Sequence, residues 1–165
     1  MGKNRLNFII SKLLLIVIPV CLLIASMVYL NNRWGRIRDI RRQADALAVI
    51  KALQFYYQQY GVFPVSDDDD GGGWDKSNDQ QKRLFLDTLI SGGLLSLTPF
   101  DPKNDDSYYY QYQRFPSGAY GCARSFAVFQ ISRFEMQHKN IGSGWCEEIN
   151  FTQLAPGGFT WMEFE

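Results

Sequence analysis

Near its start the chain carries an apolar run that no charge interrupts: Leu13 to Leu30 reads LLLIVIPVCLLIASMVYL. About 18 such residues make a helix long enough to cross ~30 Å of hydrocarbon. The apolar core of a cleaved signal peptide, the alternative, is usually only ~7 to 15 residues. The run therefore predicts a transmembrane helix over 13–30 behind a short flank, 1–12. Pro19 removes one helix hydrogen bond, which a membrane helix tolerates with a kink. The helical pattern then continues, because Ile37, Ile40, Ala44, Leu47, Ile50, Leu53, Tyr57 and Tyr60 recur at three- and four-residue steps and so share one stripe. Gly61 suits the left-handed position after a helix, and Pro64 follows closely. These signals predict a stem over 31–61, continuous with the span, and a globular head over 62–165.

Within the head, VSDDDDGGGWDKS (65–77) combines acidic residues with glycines and predicts a surface loop. A shorter helix is expected next, with Asn78 or Asp79 as N-cap, Leu84, Phe85, Leu86, Leu89 and Ile90 as its apolar set, and Gly92 and Gly93 as its stop. Two strands follow at Tyr108–Phe115 and Ser125–Met136, both rich in strand-favouring aromatic residues. The Gly and Pro punctuation between them makes antiparallel pairing the simplest connection. A weaker strand is expected near Trp145–Leu154, and the segment GGFTWMEFE either adds an edge strand or stays loose. The fold class is α+β, a long N-terminal helix packed on a small antiparallel sheet. On this reading Ile40, Leu47, Ile50, Leu53 and Tyr57 form the packed face of the stem, toward the sheet or a neighbouring stem. Arg38, Arg41 and Arg42 lie away from it.

Charge changes the picture because the formal total of zero conceals a division. Residues 1–60 hold nine Lys or Arg against two Asp, and residues 61–165 hold eight against fifteen Asp or Glu, so a stem at +7 carries a head at −7. Nucleic-acid affinity is built largely from Lys and Arg neutralising phosphates, so no nucleic-acid partner is expected for the head. Arg33, Arg36, Arg38, Arg41 and Arg42 follow the span directly and read as a solvated face with headgroup contact, making the lipid bilayer the first expected partner.

Candidate chemistry is sparse. Cys21 lies in the apolar run, leaving Cys122 and Cys146 as the head's cysteines. They fit a disulfide formed in an oxidising compartment, worth ~3 kcal/mol for such a loop; two free buried thiols are the alternative. His138 is the sole histidine and sits beside a Gly-rich turn. Glu135, Glu147 and Glu148 have no spacing that marks an acid–base pair, and no phosphate-cradling loop, CxxC or HExxH occurs. The chain does not read as an enzyme. The turn holding Asp101, Asn104, Asp105 and Asp106 offers oxygen ligands of the kind calcium takes. On chemistry alone, side-chain to backbone hydrogen bonds that fix the turn are the simpler explanation.

The stem RDIRRQADALAVIKALQFYYQQYGVFP (38–64), the turn PFDPKNDDSYYYQY (99–112) and the strand AVFQISRFE (127–135) together resemble the type IV pilins and type II secretion pseudopilins, the major pseudopilins most of all. The resemblance covers nearly all of the chain after residue 13. It implies a subunit whose N-terminal helices pack with those of other pilin-like subunits, as homo- or hetero-oligomer, while the heads face outward from a bacterial cytoplasmic membrane. It also implies calcium as a cofactor at the Asp-Pro turn through Asp101, Asp105 and Asp106. The chain departs from the family at its start. Gly2 is followed by Lys3, and no acidic residue precedes Asp39, whereas processed pilins resemble Gly-Phe-Thr-Leu-Ile-Glu. This departure points to an unprocessed, membrane-retained relative, with a non-assembling envelope-anchored binding or sensor domain as the alternative. The positive flanks, three residues before the span and five arginines after it, favour a cytoplasmic head. The cysteine pair and the pilin-like pattern favour an extracytoplasmic one.

Overall fold

A computed structural model describes residues 2–66, 73–79 and 85–165, and, within these, the side chains of all but residues 2–12 and 14. The run Asp67–Asp70 and Leu84 of the expected second helix lie outside the described residues. The chain divides into two compact units, Met1–Ile37 and Arg38–Glu165. The fold is α+β, with one long N-terminal helix and a four-stranded antiparallel sheet.

Helix α1 runs Gly2–Tyr60 and contains Pro19. It is long and apolar enough to cross a membrane by length and composition, and its most apolar window has no buried residue. The helix stops where the sequence predicts. Gly61 takes φ 74°, a left-handed conformation that glycine adopts without steric cost, and its N–H donates to the Tyr57 carbonyl at 2.8 Å.

The second unit is built on the sheet β1 (Asp75–Lys76), β2 (Tyr110–Phe115), β3 (Phe126–Ile131) and β4 (Phe159–Phe164), ordered as in the chain and antiparallel throughout. Successive strand side chains point to opposite faces, and the register lines them up. Tyr112, Phe129 and Trp161 are cross-strand neighbours, as are Tyr110, Ile131 and Phe159. Those residues join Ala46, Val49, Ala52 and Leu53 of α1 in the main core. The alternate positions Phe115, Phe126 and Val128 form a second core with Cys122, Cys146 and Phe151, against which Met162 and Phe164 pack. Gln130, fully buried on that second side, meets Gln111 at 2.6 Å, the Phe151 carbonyl at 2.7 Å and Thr160 Oγ1 at 2.9 Å. Its amide is therefore hydrogen-bonded rather than stranded in the interior.

Two expected elements differ. A helix capped at Asn78 or Asp79 is not found at those residues. Helix α2 is Asp87–Ser91, entered through Leu86 at φ 57°, a left-handed backbone that a continuing right-handed helix does not contain. The Leu86 N–H is instead satisfied by Asp75 at 3.1 Å. Trp145–Leu154 is not a strand either: it holds an isolated bridge between Trp145 and Asn150 and a 3-10 turn, Phe151–Gln153. The fourth strand comes from the segment FTWMEF, whose alternation places Phe159 and Trp161 toward α1 and Thr160 and Met162 on the opposite face.

Candidate functional site

The part of α1 within the second unit has two unlike faces. Asp39, Arg42, Ala46, Val49, Ala52 and Leu53 are buried, whereas Ile40 is 66% exposed, Leu47 62% and Phe55 59%. Ile50 and Tyr57 are half-buried. Of these five residues, Leu53 packs on the sheet in full and Ile50 and Tyr57 in part; Ile40 and Leu47 do not meet the sheet, which leaves a neighbouring stem as their expected contact. The physical reason is volume. The sheet already fills the space with Tyr110, Tyr112 and Phe129, and close packing leaves room for the small Ala46, Val49 and Ala52 rather than for larger side chains.

Beside this apolar contact lies a buried network of charge, the opposite of the solvated face expected for Arg38 and Arg42. Arg42 is fully buried. Its Nε and Nη2 donate to the two carboxylate oxygens of Asp101 at 2.6 and 2.9 Å, and its Nη1 to Asp39 at 2.7 Å and Glu135 at 3.0 Å. Arg38 grips Glu135 at two points, both 2.6 Å, and Lys103 Nζ reaches the same carboxylate at 3.1 Å. Asp39 also accepts the backbone N–H groups of Glu135 and Met136, fastening the chain beyond β3 to α1. Three basic and three acidic groups thus meet with matched charge, which a buried ion cluster requires if it is not to be costly. Hydrogen bonds from Arg38, opposed by burial and supplemented by Arg42 and Lys103, lower the Glu135 pKa from 4.5 to about 2. Burial disfavours the charge on Arg42, but the hydrogen bonds and charge of Asp101 outweigh it and raise the arginine pKa. Nearby, Tyr110 donates to Asp45 at 2.9 Å; burial and the adjacent carboxylates raise the phenol pKa.

The Asp-Pro turn expected to hold calcium is engaged in bonds of its own. Asp101 is buried with both oxygens on Arg42, and its Oδ1 also accepts the N–H of Lys103 at 2.8 Å. Asp105 accepts the N–H groups of Ser107 and Tyr108, each at 2.9 Å, and Asp106 is exposed. Among the described residues no group of three or more His, Cys, Asp or Glu side chains is placed to hold a metal ion. Cys122 and Cys146 form a disulfide across 24 residues, with Cα atoms 5.2 Å apart. His138 is exposed and lines an open groove of about 430 Å³ with Asp106, Tyr109, Arg133 and Gln137.

The sequence reading missed Asp39 and Arg42 as interior residues. The available signal was their i,i+3 spacing in step with Ala46, Val49 and Leu53, a buried line of smaller side chains. No protein-family model, no curated protein and no solved structure matches the chain.

Proposed function

We propose that the protein is a membrane-anchored, pilin-like structural subunit, whose head lies outside a bacterial cytoplasmic membrane and whose stem associates with stems of the same kind. The observation that carries this reading is the outward face of α1. Ile40, Leu47 and Phe55 stay exposed after the inward face has packed on the sheet, along with Ala44 and Ala48. A row of large apolar side chains left uncovered on an otherwise folded domain is characteristic of a protein contact. The disulfide supports an extracytoplasmic head, since such bonds persist in oxidising compartments. Introducing a charge by Leu47→Arg is expected to reduce the size of the detergent-extracted assembly while leaving the head's melting temperature unchanged. An unchanged size would remove the basis of the reading. A reporter active only outside the cytoplasm, fused after Glu165, tests the orientation.

A second reading, an anchored binding or sensor domain that does not assemble, is favoured by Asp39. It is the first acidic residue of the sequence and is committed to Arg42 and to the N–H groups of Glu135 and Met136. Calcium belongs to the proposal as a weakly held ion at Asp105 and Asp106, because Asp101 would have to release Arg42 to join them. A higher melting temperature in calcium than in chelator is expected, and identical midpoints would retire it.

A further inference from the structure

We propose that Arg33 and Arg36, with Tyr29 one turn before Arg33, form a docking face for the headgroups of anionic phospholipids, an inference that rests on reading α1 as a membrane span. The five arginines after the apolar run fall into different classes. Arg38 and Arg42 are consumed by Glu135, Asp101 and Asp39, and Arg41 lies 3.8 Å from Asp45. Arg33 and Arg36 are exposed, and no acidic side chain among the described residues lies within ion-pair distance of either.

Their place on the helix matches the polar layer of a bilayer. At ~1.5 Å per residue, Arg33 and Arg36 stand roughly 4.5 and 9 Å beyond Leu30 along the axis. The headgroup layer on each side is roughly 5 to 7 Å deep, from the difference between total and hydrocarbon thickness, and arginine side chains bend back by several ångström to reach it. Three residues apart, Arg33 and Arg36 share a helix side. Tyr29, 66% exposed, stands four residues before Arg33 on that side, while Trp34, 58% exposed, lies on the other side of the helix; both are amphipathic rings of the kind that settle at a membrane interface. Guanidinium groups bind phosphate at two points, so the ligand chemistry is a phosphodiester, and the position at the end of an apolar run selects the lipid source over free phosphate.

The test uses the full chain in mixed phosphatidylcholine and phosphatidylglycerol vesicles, with spin-labelled versions of each lipid reporting the motionally restricted shell. The shell is expected to favour the anionic lipid by about threefold or more at low salt and to approach parity near 1 M salt, where the screening length is ~3 Å. Arg33→Gln with Arg36→Gln should lower the preference to the remainder supplied by Lys3, Arg5 and Lys12 on the other flank, whereas Arg41→Gln should leave it unchanged; an unchanged preference in the double variant, or equal loss from Arg41→Gln, would overturn the assignment in favour of diffuse charge. Inorganic phosphate added at constant ionic strength should leave the preference intact, and competition by it would mark the site as one for free phosphate. Retention of the chain after an alkaline wash, without lipid preference, would sink this inference alone. Loss of the chain in that wash would instead refute the membrane span on which it rests.

Discussion

Arg42 and Asp101, 59 residues apart in the chain, meet as a two-point ion pair whose side chains are both fully buried. Removing one member of such a pair leaves the other charged in the interior, at a typical cost of ~3 to 5 kcal/mol. Arg42→Ala is therefore expected to lower the denaturant midpoint of the head strongly. Arg41→Ala, on an arginine whose side chain is 62% exposed, should change it by less than ~1 kcal/mol. Comparable midpoints for the two variants would contradict the arrangement.

The two faces of the stem make a paired prediction. Leu53 is fully buried and Leu47 is 62% exposed, so Leu53→Ala should cost ~2 to 5 kcal/mol and Leu47→Ala about 0.5 kcal/mol or less. Urea unfolding of the two variants in the same detergent measures the difference.

Acid stability carries the signature of Glu135. Its pKa is lowered from 4.5 to about 2 on folding, so the unfolded chain binds the proton more readily. The stabilisation is fully present above about pH 4.5 and is lost as pH falls through about 2. Glu135→Gln should lower stability at neutral pH and flatten this acid limb of the pH profile. A variant with an unchanged slope between pH 5 and 2 would show that the carboxylate titrates alike in both states.

The disulfide encloses 24 residues of separation beside the second core. Cys122→Ser with Cys146→Ser should destabilise the head by ~3 kcal/mol through added freedom of the unfolded chain, read as a lower melting temperature that reducing agent no longer changes.

The elements that local chemistry dictates were legible in the sequence. The aromatic residues of YQYQRF and FAVFQI marked the central strand pair, Gly61 marked the helix end, and the head's two cysteines marked their own pairing. What local chemistry does not hold was missed. Which face of the stem packs on the sheet depends on the volume of Tyr110, Tyr112 and Phe129, more than fifty residues away, so the sequence does not tell whether the conspicuous Ile40 and Leu47 meet the sheet or a neighbouring stem. Arg42 looks in sequence like one more membrane-flanking arginine, because the partners that draw it inward, Asp101 and Glu135, are distant in the chain. The pairing of Asp101 with Arg42 is illegible for the same reason, since 59 residues separate them in the chain.

Association through the outward face of the stem is tested most directly by cross-linking in intact membranes. Leu47→Cys and Ile40→Cys are introduced singly with Cys21→Ser, which removes the remaining free thiol, and a short bismaleimide is added. Both positions are expected to give a stem-to-stem adduct, whereas Lys139→Cys, exposed on the head, stays monomeric. No adduct at either stem position, or adducts equally abundant at all three, would contradict assembly through this face.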